Sequence, residues 1–191
     1  GIMPFREKDG VKNLKKELKK KIKFYSEPSS FISDSTVVIT VGTPVDNFLN
    51  PDMRQIKECI DSLIPYLKKG QLIILRSTVY PGTSDWLYKY LFKKKKCDIA
   101  FCHERVIQGY TFDEIEKLPQ IIAASSKTAL KRATLIFKKI SKKIVYCSLK
   151  EAEFSKLFSN SFRYAQFAIA NEFYMLADKA GLDFNKIRKI T

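Results

Sequence analysis

The residues with the most evident chemistry are Arg76-Ser77-Thr78-Val79-Tyr80-Pro81-Gly82-Thr83, set directly after the apolar run Leu72-Ile73-Ile74-Leu75. A buried strand that ends in hydroxyl residues, then Pro-Gly, then a helix presents polar groups at the carboxyl edge of a sheet. That edge is where α/β proteins bind ligands. A second edge of the same kind lies upstream, where Val37-Val38-Ile39-Thr40-Val41 runs into Gly42-Thr43-Pro44. Two strand ends carrying small hydroxyl residues imply one crevice shared by both, of the kind that handles a nucleotide.

The elements that must position these residues can be read along the chain. Val11, Leu14, Leu18 and Ile22 recur at helical spacing and predict an amphipathic helix over 11–21, followed by an extended piece over 22–25. Thr36 to Val41 reads as a buried strand. Asp52 to Lys69 reads as a helix, started by Pro51 and Asp52, lined by Met53, Ile56, Ile60, Leu63 and Leu67, and ended by Gly70. Strands over 72–75, 98–102, 120–124 and 143–147 alternate with helices over 84–92 and 127–140. This alternation with short connections predicts an α/β fold with a parallel, doubly wound, Rossmann-like sheet.

From Lys150 the texture changes. No Pro or Gly interrupts the chain until Gly181, which predicts one long helix. Within it Lys156, Asn160, Arg163 and Phe167 fall on one continuous face, among Phe154, Leu157, Phe158, Phe162 and Ala165. A polar line on an otherwise apolar helix is met by water, ligand or partner. Gly181-Leu182-Asp183 closes the helix, and another begins near Phe184.

Composition bounds the function classes. At 191 residues the chain can bury a core, with room for one domain and part of a second. No apolar run approaches the roughly 20 residues that span a bilayer, so no membrane is expected. The charged start lacks the apolar segment of a signal peptide, and a first residue Gly1 fits a clipped or partial product.

The cysteines, Cys59, Cys97, Cys102 and Cys147, contain no C-x-x-C pair, and the single histidine, His103, adjoins Cys102. Neighbouring strand residues point to opposite faces, so the two do not readily grip one metal. Reduced structural thiols in a cytoplasmic protein are the expectation, with no metal. The net charge of +15 comes from lysines clustered over 12–23, 93–96 and 138–143. None of these clusters is interleaved with exposed aromatics, so they read as solvated faces and no nucleic-acid partner is expected.

Read in order, the motifs are Gly42-Thr43-Pro44-Val45-Asp46, Ser77 to Thr83, Glu104-Arg105-Val106-Ile107-Gln108-Gly109 and Leu118-Pro119-Gln120-Ile121-Ile122. They continue with Glu153-Phe154-Ser155-Lys156-Leu157-Phe158-Ser159-Asn160 and Ala168-Ile169-Ala170-Asn171-Glu172. This order and spacing resembles the UDP-glucose/GDP-mannose dehydrogenase family, NAD-dependent nucleotide-sugar 6-dehydrogenases. The Val-Tyr-Pro-Gly-Thr form, Leu-Pro-Gln-Ile and Phe162-Arg163-Tyr164 look most like the branch that oxidises UDP-N-acetylmannosamine.

The resemblance implies that a sugar C6 alcohol becomes an acid through two hydride transfers to NAD and an enzyme-bound thioester. It places Gly42, Thr43, Pro44, Ser77 and Thr78 on the cofactor side. Thr78, Glu104, Lys156 and Asn160 take catalytic roles: Glu104 assists hydrolysis through a water, and Lys156 with Asn160 stabilises oxyanion character at C6. Glu104, Arg105, Gln108, Lys156, Asn160 and Arg163 face the UDP-sugar. Simpler readings stand beside these. Thr78 could cap the following turn, Glu104 could be a surface carboxylate paired with Arg105, and Lys156 could be solvated.

The chain also departs from the family pattern. The seven glycines contain no G-x-G, whereas the family seats the NAD pyrophosphate on a G-x-G-x-x-G turn. Met3-Pro4-Phe5 resembles a segment that follows the family's second strand. The family's nucleophilic cysteine lies beyond the long helix, where this chain has none, and His103 replaces a proline common before the glutamate. The resulting expectation is a partial NAD-binding domain over 1–148 and the start of a central helical domain over 149–191. A homodimer would form through the helix 150–180, and the chain alone would be inactive. The alternative is a non-catalytic remnant that dimerises with a full-length homologue.

Overall fold

Four consecutive large aliphatic residues can bury every side chain only in a strand covered on both faces. In the computed structural model, which describes residues 5–18, 22–29, 32, 36–45, 47–48 and 52–191, Leu72–Leu75 forms such a strand, β2. All its side chains are fully buried. β1 (Val37–Ile39) and β3 (Asp98–Phe101) flank β2 in parallel, with Leu75 between Ile39 and Phe101. β4 (Gln120–Ala124) and β5 (Ile144–Tyr146) complete the sheet in the order β1-β2-β3-β4-β5.

The sheet is not parallel throughout, as the alternation of elements led one to expect: β4 runs antiparallel to β3. The chain leaves β3 at its carboxyl edge, passes a loop and a short helix, α4 (Thr111–Ile115), and enters β4 from that same edge. Without a crossover helix to carry it back, the next strand must reverse. Helices nonetheless cover both faces. α2 (Arg54–Leu63) and α3 (Thr83–Lys95) pack Ile56, Ile60, Leu87 and Leu91 against Ile73, Leu75, Ile99 and Phe101. α5 (Lys127–Phe137) packs Ala129, Ala133 and Phe137 against Leu72, Ile74, Ala100 and Cys102.

Several boundaries shift for local reasons. β1 is shorter than the expected strand over 36–41, and as an edge strand it leaves Val38 47% exposed. α2 stops at Leu63 and passes into a 3-10 turn, Ile64–Tyr66, because Pro65 has no N–H to continue the α-helical ladder. α1 (Gly10–Glu17) leaves Val11 exposed, so its apolar face is narrower than its spacing suggested. The strand expected to reach Cys102 ends at Phe101. Of the expected features, Met3, Pro4, Asp46, Pro51 and helix residues 19–21 lie outside the described residues.

The chain forms two compact units, Gly1–Phe154 and Ser155–Thr191. α6 (Leu149–Lys179) starts with a capping box: Ser148 Oγ accepts from Glu151 N–H at 3.3 Å, and Glu151 Oε2 accepts from Ser148 N–H at 2.7 Å. In the second unit the Asp183 carboxylate caps α7 (Phe184–Ile190), and Tyr174 meets Phe184 edge to face. Along the polar line of α6, Lys156, Asn160 and Arg163 are half-buried and Phe167 is exposed, as are Phe158, Phe162 and Tyr164. Among the described residues no helix is long and apolar enough to cross a membrane.

One buried carboxylate ties the first unit together. Tyr80-Pro81-Gly82-Thr83 makes a type II turn in which Gly82, at φ 95°, takes the position that disfavours side chains. α3 starts there with open backbone N–H groups. Glu153 from α6, fully buried, accepts from Gly82 N–H and Ser84 N–H, both at 2.7 Å. The positive end of the helix dipole favours the same carboxylate.

Two stability predictions follow from this packing. Ile60→Ala removes a fully buried side chain from the core beneath β2 and is expected to cost about 2–5 kcal/mol in urea unfolding. In Glu153→Gln only one oxygen remains to accept, so one N–H of α3 is stranded, at an expected cost of about 1–3 kcal/mol. Denaturation midpoints equal to wild type would contradict either assignment.

Candidate active site

Because β1, β2 and β3 are parallel, the loops that follow them emerge at one edge of the sheet. Specific bonds join these loops. Ser77 Oγ donates to Val41 O at 2.6 Å, and Thr43 Oγ1 donates to Thr78 O at 2.5 Å. The hydroxyl hydrogens of Ser77 and Thr43 are thus spent on backbone, which ties the two loops together and leaves oxygen lone pairs as acceptors. The side-chain hydroxyl of Thr78 makes no hydrogen bond among the described residues. Nor does it cap the following turn: Thr83 Oγ1, donating to Tyr80 O at 2.6 Å, and Glu153 do that. Gly42 and Pro44 are exposed at the rim.

Glu104 follows β3 and is half-buried at the same edge. It does not pair with the Arg105 guanidinium, which donates to Pro119 O at 3.3 Å. Glu104 Oε2 instead forms an ion pair with Arg76 Nη2, and Oε1 accepts from Arg105 N–H at 2.7 Å and Val106 N–H at 3.1 Å. Burial alone would raise the Glu104 carboxyl, but the Arg76 charge and these backbone N–H groups together hold it below the ordinary carboxylate range. At neutral pH Glu104 is therefore ionised.

The loop after Glu104 is anchored from the N-terminal segment. Glu7 accepts from Gly109 N–H at 2.8 Å, from Thr111 N–H at 2.7 Å and from Thr111 Oγ1 at 3.0 Å. Lys8 pairs with Asp113 at 2.7 Å, and Glu114 Oε2 accepts from Ile107 N–H at 2.7 Å. Gln108 is left exposed at the loop tip, where Gly109 turns at φ 99°. Arg76, Glu7 and Glu153 are contributors that motif reading missed. For Arg76 a signal was available: Arg76, Ile74 and Leu72 share strand parity, as do Glu104, Cys102 and Ala100.

The structure thus brings Thr43, Ser77, Thr78 and Glu104 to the edge of one sheet. Lys156, Asn160 and Arg163 belong to the second unit, where they share the half-buried line of α6. The four cysteines are free thiols. Burial pushes all of them above the ordinary thiol range, Cys102 to about 12, so none is a thiolate nucleophile at neutral pH. Among the described residues no group of His, Cys, Asp and Glu could hold a metal ion.

Comparison with known proteins accords with this arrangement. Residues 1–141 match the model of the NAD binding domain of the UDP-glucose/GDP-mannose dehydrogenase family, and residues 150–191 match that of its central domain. The chain is 35% identical over 150 residues to the UDP-N-acetyl-D-mannosamine dehydrogenase of Methanocaldococcus jannaschii, which covers 76% of this chain and 35% of the relative. Among solved structures, the UDP-D-ManNAc dehydrogenase of Pyrococcus horikoshii superposes with a TM-score of 0.85 at 26% identity, over 100% of this chain and 47% of that one. A UDP-glucose dehydrogenase of Pyrobaculum islandicum shares the fold, with a TM-score of 0.82 at 21% identity over 96% and 45% of the two chains. The chain therefore spans about a third of the length of the curated relatives it matches. The carboxyl-edge loops, the sheet behind them and the family match over residues 1–141 together establish that this chain belongs to the UDP-glucose/GDP-mannose dehydrogenase family.

Proposed function

We propose that this chain supplies the cofactor-side half of a nucleotide-sugar 6-dehydrogenase site, in which the C6 alcohol of UDP-N-acetylmannosamine is oxidised to the uronic acid. The observation that carries the reading is Glu104, a carboxylate kept ionised at the edge where the loops of Thr43 and Thr78 meet. In the overall reaction the alcohol carbon loses two hydrides and gains one oxygen from water.

Bound NAD would supply the hydride acceptor. The unbonded Thr78 hydroxyl, the acceptor lone pairs of Thr43 and Ser77, and the exposed rim at Gly42 and Pro44 fit the nicotinamide end of such a molecule. No residue is assigned to its pyrophosphate, since the sequence holds no G-x-G turn.

Glu104 takes a proton from the attacking water, a role that needs an ionised, fixed carboxylate. Lys156 and Asn160, one turn apart on α6, supply an ammonium and an amide to an oxyanion at C6. Arg105, Gln108 and Arg163 contact the sugar nucleotide. The buried thiols take no covalent role. Residues 1–148 form the partial cofactor domain, and 149–191 begin the helical domain. The exposed Phe158, Phe162, Tyr164 and Phe167 support a homodimer through 150–180.

Calorimetric titration of the chain with UDP-N-acetylmannosamine tests this reading. Saturable binding is expected, with affinity at least about tenfold weaker in Lys156→Ala, equivalent to about 1.4 kcal/mol. Absence of binding by the folded chain, or an unchanged affinity in the variant, would contradict it. The chain alone is expected not to reduce NAD with this substrate, and measurable reduction would overturn that division of roles.

A further inference from the structure

We propose that Arg76 is the positioning residue of this site, its guanidinium backed by the Phe137 ring and gripping Glu104 so that the carboxylate keeps one orientation at the sheet edge. The inference rests on the reading of Glu104 as the proton acceptor and adds the device that orients it.

Arg76 is placed by the strand before it. Its backbone N–H donates to Ile39 O at 2.9 Å, so the residue continues the β1–β2 ladder. Side chains alternate along a strand, so Arg76 follows Leu72 and Ile74 onto the face covered by α5. The register pairs Ile74 with Ala100, so Glu104 follows Ala100 and Cys102 onto that same face. Arg76 and Glu104 are thus set to meet where the strands end. The guanidinium lies 5.0 Å from the centre of the Phe137 ring, and only 11% of the Arg76 side chain is exposed.

Packing alone does not account for an arginine here. Arg76 Nη1 is buried with no hydrogen-bond partner among the described residues. Replacing a largely buried ion pair by apolar groups of similar volume is often neutral or stabilising. A methionine would cover Phe137 without leaving a donor unpaired. What the guanidinium adds is a fixed direction for Glu104, since its grip on Oε2 complements the two backbone N–H groups on Oε1.

Several neighbouring ionisable groups are engaged elsewhere or buried. The Arg105 guanidinium turns to Pro119 O, and Glu114 holds Ile107 N–H. His103 packs its ring on Phe101, and the Cys102 thiol is held protonated by burial. On the α5 side the group in contact is the Phe137 ring. Without Arg76, the burial of Glu104 would be less fully offset, since the Arg105 and Val106 N–H groups would remain, and the carboxyl would bind its proton more tightly.

With its folded pKa below the unfolded value, Glu104 contributes stability that is present above about pH 4.3 and lost as pH falls through the folded midpoint.

The test is a 13C NMR titration of the Glu104 side-chain carboxyl in the full chain, free of substrate and cofactor. In Arg76→Met the midpoint is expected to rise by at least about one pH unit, a tenfold gain in proton affinity. The Arg105 and Val106 amides are expected to exchange faster. A folded Arg76→Met variant with an unshifted midpoint would overturn the proposal. Should that variant fail to fold, the wild-type chain still decides. The Arg76 guanidinium 15N signals are expected to move with the same midpoint as Glu104, and signals that ignore that titration would overturn the proposal. Because no ligand is present, these results stand apart from the catalytic reading, which fails separately if Glu104→Gln leaves substrate turnover unchanged in a complete enzyme carrying this segment.

Discussion

The burial of β2 on both faces is the constraint on which the rest depends. Once Leu72 and Ile74 are committed to α5, and Ile73 and Leu75 to α2 and α3, the alternation has no freedom left at the end of the strand. Arg76 must go to the α5 side, where an aromatic ring receives it. Ser77 must go to the opposite side, where Val41 O accepts its hydroxyl. The arrangement of this edge is therefore a product of the core. A slip of one residue would exchange the arginine and the serine and dismantle both the ion pair and the loop contact.

The polar groups at this edge are arranged so that few are left to choose their own partners. The Ser77 and Thr43 hydroxyls are consumed in joining adjacent loops, and the type II turn is fixed by Gly82 and Thr83. Glu153 reaches from α6 to the first N–H groups of α3. This leaves the Thr78 hydroxyl, which makes no hydrogen bond among the described residues, as a group with capacity to spare. Under the proposed function, a site built in this way would need little reorganisation when a ligand arrives, which is the condition under which electrostatic assistance is most effective.

Much of the fold was legible in the sequence because its signals are local. A run of four aliphatic residues, Pro-Gly after hydroxyls, and Asp after Gly each act within a few positions. The reversal at β4 was hidden, because it depends on the edge at which the 103–119 segment re-enters the sheet, and no residue type encodes that. The early end of α2 at Pro65 was readable from the missing N–H of proline. The motif order singled out Thr43, Thr78 and Glu104 as candidates, and the structure places all three at one sheet edge. It did not pair Glu104 with Arg76, since their 28 positions of separation are bridged only once the β2–β3 register is known. The sequence left open what meets the polar line of α6, because helical spacing defines faces without saying which of them is covered.

The central claim is that the loops after β1, β2 and β3 form one ligand-binding edge. The most direct measurement is a map of backbone amide signals as NAD and then UDP-N-acetylmannosamine are added to the isotopically labelled chain. The account predicts changes concentrated at Gly42 and Thr43, at Ser77 to Tyr80 and at Glu104 to Gln108. Changes confined to the lysine-rich ends of α3 and α5, with the three loops unmoved, would contradict it.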